Sequence, residues 1–186
     1  MKAILQRVLS ASVTVDKEVV SAIGKGVLVF AAVAPGDTQK EADSLAAKVL
    51  KLKLWDDDEG GRWKKNVQEI GGEVLCGRFS PALVHFFRYS SSNGVVSVSQ
   101  FTLLASTKKG NKPDFHGAAG GEEAKRLYQY FFEKVQQGYG PDKVRNGVFQ
   151  AMMEVALVND GPVTLEISAL PKSGSKVEQS PSVSSN

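Results

Sequence analysis

The chain has 186 residues, of which 42% are hydrophobic and 23% charged, and its formal net charge is +3. These values are typical of one globular domain with a sizeable core, and no apolar run approaches the ~18 residues of a membrane-spanning helix. The N-terminal residues show no apolar h-region and no small-residue cleavage site, so we expect no secretion. The single cysteine, Cys76, cannot form an internal disulfide and suits a reducing compartment, so we expect a cytoplasmic protein. Two histidines and one cysteine make no recognisable metal-ligand cluster. The sequence therefore predicts neither a metal nor a cofactor.

Strand patterns dominate the first third of the chain. Val13 and Val15 alternate with polar neighbours, residues 18–23 follow a short turn, and an apolar run covers residues 27–33. A capping box at residues 38–41, with Thr38 as N-cap, then predicts a helix. Apolar residues follow it at helical spacing: Ala42, Leu45, Ala46, Val49 and Leu50.

The second half of the chain predicts one more helix and further strands. Leu52 and Leu54 indicate a short strand, and residues 122–137 form a second amphipathic helix that Gly138 ends. Residues 152–158 and 163–167 read as strands on either side of a corner. The strands and two helices, without a strand–helix–strand rhythm, predict an α+β fold in which a curved sheet packs on helices. The Ser-rich segment 170–186 predicts a disordered tail.

Two short motifs carry the chemistry. The first, residues 99–103 with the sequence Ser-Gln-Phe-Thr-Leu, offers hydroxyls, an amide and backbone N–H groups where a strand ends. The second, residues 159–164 with the sequence Asn-Asp-Gly-Pro-Val-Thr, contains a Gly-Pro bond, at which the cis form costs little and carbonyls are unobstructed by side chains. Together they predict a site that binds a small polar group and polarises a carbonyl.

Both motifs resemble the signatures of the D-aminoacyl-tRNA deacylase family, and the resemblance runs from Met1 to about Ala169. Its flanking features are Gln6-Arg7-Val8, Ala11 to Val15, Gly26 to Val29, Gly36-Asp37-Thr38, Lys109-Gly110 with Pro113 and Phe115, and Gly147-Val148-Phe149. The resemblance implies a deacylase domain over residues 1–169 with a compact, barrel-like sheet and two helices. It further implies a homodimer in which Gly161-Pro162, in the cis form, enters the partner's active site.

One segment departs from the family pattern. About twenty residues, roughly 76–94, stand where the family runs almost directly from residues 71–75 into the strand that carries Ser99. Their apolar side chains are too many for an ordinary solvated loop. Three explanations remain open: an insert packed on the domain, a cover for a partner site, or a translated intron.

The residues of the first motif have two interpretations. A strand end with small polar residues is the plain one. The alternative is that backbone N–H groups around Gln100 and Phe101, next to Ser99, stabilise the oxyanion of ester hydrolysis. Thr102 invites a nucleophile role, but no histidine or carboxylate is placed to activate it, so we interpret it as a positioning hydroxyl with water attacking. We expect the 2′-hydroxyl of the terminal adenosine, which the substrate supplies, to assist, and the resemblance supports this.

The substrate-binding residues are Gly161, Pro162, Phe149 and Arg7. A tight turn is the plain interpretation of Gly161-Pro162; as a main-chain wall it would exclude an L side chain. Phe149 is a buried aromatic in the plain interpretation, and the resemblance implies that it stacks on the terminal adenine. Arg7 either braces the Gly-Pro carbonyls or forms a surface ion pair. Lys108, Lys109 and Lys112 form a solvated basic loop or contact phosphate.

The sequence therefore predicts a deacylase that hydrolyses the ester of D-aminoacyl-tRNA and accepts Gly-tRNA. A relative with relaxed stereochemistry is the nearest alternative, but its strand motif usually begins with Pro and lacks the aromatic at Phe101. A nucleic-acid-binding module without turnover is an alternative from another class. The expected partners are aminoacyl-tRNA and a second copy of the chain, with no membrane.

Overall fold

The computed structural model of the chain describes residues 1–74, 95–108, 110–147 and 151–171. The predicted insert at 76–94, Phe149 and the predicted tail beyond residue 171 lie outside them. The described residues form an α+β fold, as the sequence predicts. Its elements in chain order are β1 (Lys2–Val15), β2 (Glu18–Ile23), β3 (Gly26–Ala32), α1 (Gln39–Lys51), β4 (Glu73–Val74), β5 (Val95–Ser99), α2 (Gly121–Tyr139), β6 (Val144–Asn146) and β7 (Glu154–Ser168).

Strand β1 is the centre of a mixed sheet. It pairs antiparallel with β2, β3 and β7. Strand β3 continues the sheet in parallel with β5, and β5 continues it in parallel with β6. The short β4 bridges β3 and β6. Among the described residues β7 pairs only with β1, so the sheet has an open edge there.

Side-chain alternation along the strands divides the core into two clusters. Val27, Val29 and Ala31 on β3 pack in the larger cluster with both helices, whereas Leu28 belongs to a smaller cluster on the other side of the sheet. This follows from the two-residue period of a strand. The N-terminal half of β1 contributes Leu5 to the larger cluster and its C-terminal half contributes Val13 to the smaller one. The strand therefore serves both cores.

The capping box that precedes α1 is confirmed. Thr38 is the N-cap, its hydroxyl oxygen accepts from the Lys40 N–H at 3.2 Å, and the Glu41 carboxylate accepts from the Thr38 N–H at 2.8 Å. Among the described residues, neither helix is long and apolar enough to cross a membrane.

Two predicted boundaries are wrong. Helix α2 continues past Gly138 to Tyr139. Gly138 does not end the helix but allows α2 to pack closely on α1, because a Cβ at this position would lie 2.7 Å from Leu50 Cδ1. The short strand expected at Leu52 and Leu54 is only an extended segment ending in an isolated bridge between Trp55 and Lys65.

The two strands predicted around Gly161-Pro162 are a single strand. Both halves of β7 pair with β1: Thr164 lies opposite Gln6, and Asn159 lies opposite Val8. Residues 160–163 therefore stand opposite Arg7 alone. The chain does not turn a corner at Gly161-Pro162 but bulges out of a continuous strand.

The capping box gives α1 a pH-dependent contribution to stability. Hydrogen bonds from the Thr38 hydroxyl at 2.6 Å and then from its N–H hold the pKa of Glu41 below its ordinary value of 4.5. A depressed carboxyl pKa contributes stability that is complete above 4.5 and is lost as the pH falls through the folded-state pKa. We expect Glu41→Gln to lower the melting temperature at pH 7, with the difference shrinking below pH 4.5.

The matched control is Glu122→Gln, which removes a first-turn carboxylate from α2, where Gly120 provides no side-chain cap. Its effect on the melting temperature should be smaller at pH 7. A Glu41→Gln difference that stays constant from pH 7 to pH 3 would contradict the assignment.

Candidate active site

The first motif forms an exposed turn at the end of β5. Ser99 is the last residue of the strand, and Phe101–Leu104 form one turn of 3-10 helix. The Gln100 N–H donates to the Ala31 carbonyl at 2.8 Å and is therefore occupied. In the described part of the chain, the N–H groups of Phe101 and Thr102 have no acceptor, as expected for the first residues of a helical turn. Two backbone donors are thus available at this turn.

Thr102 is oriented by its neighbour rather than by a base. The Gln100 side-chain amide donates to the Thr102 hydroxyl oxygen at 2.5 Å, which leaves the hydroxyl hydrogen able to donate elsewhere. Among the described residues, no histidine or carboxylate contacts the Thr102 hydroxyl. A nucleophilic threonine needs such a base, so this arrangement favours a hydroxyl that positions another group.

Aromatic side chains flank the turn. Phe101 is 56% exposed and meets Phe115 edge to face, with 5.1 Å between the ring centroids. Beside Phe115, the His116 N–H and then its Nδ1 bind Asp114 and hold the pKa of that carboxyl below its usual range. The His116 ring itself is almost fully exposed. The turn therefore lies on an open, partly aromatic surface.

The second motif is held by its own side chains and by β1. Asn159 Oδ1 accepts from the Val163 N–H at 3.2 Å, and its amide donates to the Thr164 hydroxyl oxygen at 3.0 Å. These bonds close the bulge across its base. At its tip the Gly161–Pro162 peptide bond is cis, Gly161 has φ +114°, and both residues are exposed.

Arg7 contacts the bulge directly. Its Nε lies 3.1 Å from Asp160 Oδ2 and donates to the Asp160 carbonyl at 3.2 Å, while Nη1 donates to the Leu54 carbonyl at 2.5 Å. The two charged side chains are only 16% and 24% exposed. This is a partly buried ion pair with backbone acceptors, and not a surface pair of the kind that contributes little.

The two motifs lie far apart within one chain. The bulge stands at the level of Arg7, which pairs with Val27 on β3, whereas Gln100 bonds to Ala31 four residues further along that strand. Four residues along a strand span about 13 Å. Across the sheet, β1 and β3 lie between β7 and β5, and the three spacings between neighbouring strands add up to about 14 Å. On a flat sheet the separation would be roughly 20 Å. At that separation the two motifs of one chain would not contact the same small group.

The structure adds two residues to which the sequence assigned no role. Asp160 lies within the second motif, so its position next to Gly161 could have indicated a role at the site. Trp63 comes from a loop remote in sequence, and its ring lies 5.9 Å from Arg7 Cζ. Nothing in a single sequence indicates that contact. Phe149 and Lys109 lie outside the described residues, and Lys108 and Lys112 are exposed.

The family model for D-Tyr-tRNA(Tyr) deacylase matches residues 4–78 and 90–168. The chain belongs to this deacylase family. The two matched segments include both motifs and every residue of the site described above. Residues 79–89 fall between the matched segments and inside the predicted insert, whose boundaries stay a prediction.

Curated relatives carry the name of this deacylase family, and a solved structure with a different name shares the fold. The D-aminoacyl-tRNA deacylase of Yarrowia lipolytica is 45% identical over 168 residues, covering 89% of this chain and 96% of the relative. Human D-aminoacyl-tRNA deacylase 1 is 41% identical, covering 90% of this chain and 69% of the relative. A solved structure named c-Myc DNA Unwinding Element Binding Protein superposes with a TM-score of 0.77 at 38% identity, covering 92% of this chain and all of that one.

Gly161 should resist any added side chain. A Cβ at this position would lie 2.9 Å from Arg7 Nη2 and 2.9 Å from Val163 Cγ2, and the positive φ adds backbone strain. Gly140 has a similar φ of +123° with open space around it. We expect Gly161→Ala to lower the free energy of unfolding by about 1–3 kcal/mol more than Gly140→Ala does, measured by urea titration. Equal losses would show that the crowded neighbours give way freely.

Proposed function

We propose that this protein deacylates D-aminoacyl-tRNA by water attack, in sites built from the Phe101–Leu104 turn of one subunit and Gly161-Pro162 of the other. The observation that carries the proposal is the pair of unoccupied N–H groups at Phe101 and Thr102, in the described residues, on an exposed turn. The reaction is hydrolysis of the ester between a D-amino acid and the terminal adenosine of tRNA. This frees the tRNA and keeps D-residues out of translation.

The catalytic group is the segment Ser99, Gln100, Phe101 and Thr102. Ester hydrolysis passes through a tetrahedral oxyanion, and fixed N–H donors stabilise it without reorganising. Phe101 and Thr102 supply these donors, because the Gln100 N–H already binds Ala31. The Gln100 amide holds the Thr102 hydroxyl, which positions the substrate or the water. The substrate's own 2′-hydroxyl assists, and the mechanism requires no metal or cofactor.

Gly161 and Pro162 form a wall at the substrate's α-carbon. Gly161 has no side chain, so its main chain can approach the α-amino group closely. An L side chain would point into this wall, whereas a D side chain would point away from it. Arg7 braces the wall through Asp160. Selectivity then comes from rejection of L-substrates rather than from a pocket for one D side chain, and Gly-tRNA, with no side chain, is accepted.

Two observations favour a homodimer. The motifs lie roughly 20 Å apart in one chain on the flat-sheet estimate, so a second subunit is needed to bring them together. Among the described residues, the 15-residue strand β7 has no partner on its outer side, and it exposes Val158 and Leu165. A long edge strand with exposed apolar side chains needs cover. We propose that a second copy covers it and that the sheet curves into a barrel-like form.

The tRNA end would lie over the open surface beside the Phe101–Leu104 turn. Lys108 and Lys112 on the following loop are exposed and would contact phosphates. In this proposal Phe149 stacks on the terminal adenine. The single cysteine suits the reducing cytoplasm, where translation supplies the substrate.

Nucleic-acid binding without turnover is the second candidate. It is favoured by the name of the solved structure, a DNA unwinding element binding protein, which is similar to this chain over 92% of its length. The intact first motif, with its backbone donors, favours hydrolysis. Fluorescence anisotropy with duplex DNA, alongside a deacylation assay on the same preparation, distinguishes the two candidates.

Stereochemistry provides the direct test of the wall. We expect D-Tyr-tRNA and D-Asp-tRNA to be hydrolysed at similar rates, Gly-tRNA to be hydrolysed at high enzyme, and L-Tyr-tRNA to be spared. A clash of a few kcal/mol would give a preference of about several hundredfold, because each 1.4 kcal/mol is about tenfold. Release of labelled amino acid measures each rate. Similar rates for D-Tyr-tRNA and L-Tyr-tRNA would favour the relative with relaxed stereochemistry.

Complementation tests the site shared between subunits. Thr102→Ala and Gly161→Ala chains carrying different tags are co-expressed, and the heterodimer is isolated by two affinity steps. One of its two sites then has both wild-type motifs, so we expect about half of the wild-type rate per dimer. A heterodimer of two differently tagged Thr102→Ala chains is the control. Activity no higher than that of the parent homodimers would mean that each site is built within one chain.

A further inference from the structure

Trp63 is held in an unusual conformation beside the second motif. The loop from Trp55 to Lys65 closes through backbone hydrogen bonds, and its Trp63 N–H donates to Asp56 Oδ1 at 3.0 Å. Trp63 has φ +56°, in the left-handed region that bulky residues rarely adopt. Such conformations persist where the surrounding structure imposes them, and they concentrate at functional sites. The strained backbone of Trp63 therefore indicates that this residue has a function.

The indole of Trp63 contacts the side chain that braces the wall. Arg7 Cζ lies over the ring at 5.9 Å from its centroid. The Leu54 carbonyl and Asp160 accept hydrogen bonds from the same guanidinium. With hydrogen bonds alone, the long Arg7 side chain could reach Asp160 in several conformations. An aromatic ring packed against the guanidinium excludes some of these conformations.

We propose that Trp63 is a positioning residue for the deacylation site. It fixes the Arg7 guanidinium, which in turn fixes Asp160 and the main chain of Gly161. The position that a Cβ of Gly161 would take is only 2.9 Å from Arg7 Nη2, so the guanidinium packs against this main chain. The inference rests on the proposed function, in which Gly161-Pro162 lines the substrate site.

The exposure of Trp63 allows a competing role. Its side chain is half-exposed, and an exposed tryptophan can also stack on a nucleobase. A stacking residue and a positioning residue predict different kinetics. Loss of a base contact weakens substrate binding and raises KM, whereas loss of positioning at the reacting centre lowers kcat.

A double-mutant cycle separates these roles. We expect Trp63→Ala to lower kcat for D-Tyr-tRNA about two- to fivefold, with KM little changed. Trp63→Phe, which keeps an aromatic ring, should restore most of the loss. Lys64→Ala, an exposed neighbour in the same loop, is the control and should match the wild type. Adding Trp63→Ala to Arg7→Gln should cost nothing further, because Trp63 acts through Arg7.

Asp160→Asn replaces Arg7→Gln in the cycle if the latter does not fold, and Trp63→Ala should then cost less than it does in the wild type. Three results would overturn the proposal: an unchanged kcat in Trp63→Ala, a raised KM with kcat intact, or losses that multiply in the double variant. A wild-type protein that does not hydrolyse D-Tyr-tRNA would instead refute the proposed function. The wild-type assay thus separates the two failures.

Discussion

The pairing of β1 with β7 is the constraint on which the rest of the structure depends. It joins the two ends of the described chain, and its register shifts on either side of Val8. At the larger of the two shifts, residues 160–163 of β7 stand opposite Arg7 alone. The bulge lifts Gly161 and Pro162 out of the ladder without ending the strand. A regular ladder would bury these backbone groups in hydrogen bonds. The skip in register leaves them exposed on a rigid strand.

The polar contacts of Arg7 make this bulge a defined structure. An unpaired guanidinium at this depth would be costly, and so would an unpaired Asp160 carboxylate. Each is the partner of the other, and the Leu54 carbonyl ties both to the segment that follows α1. The larger core thus supports the site, because packing of α1 on the sheet places the Leu54 carbonyl within reach of Arg7.

The two motifs divide the chemistry between them. The Phe101–Leu104 turn provides backbone donors and an oriented hydroxyl, and it lies at the end of a parallel strand whose neighbours hold it in place. The bulge in β7 provides close backbone approach, and it lies on an antiparallel edge. Among the described residues, neither motif contains a histidine, and the Asp160 carboxylate of the second motif is paired with Arg7. Both motifs therefore act through fixed backbone geometry in the proposed function.

The sequence by itself determined the α+β class, the capping box at Thr38 and Glu41, the end of β5 at Ser99 and the position of both motifs, because these follow from local patterns of apolar, capping and turn residues. Tertiary structure decided that Gly161-Pro162 is a bulge in one strand, that α2 runs through Gly138, and that Trp63, Leu54 and Asp160 meet at Arg7. These outcomes depend on strand register and on contacts between residues far apart in the chain. A local pattern carries no information about either, since both are fixed only when the sheet and the helices pack together.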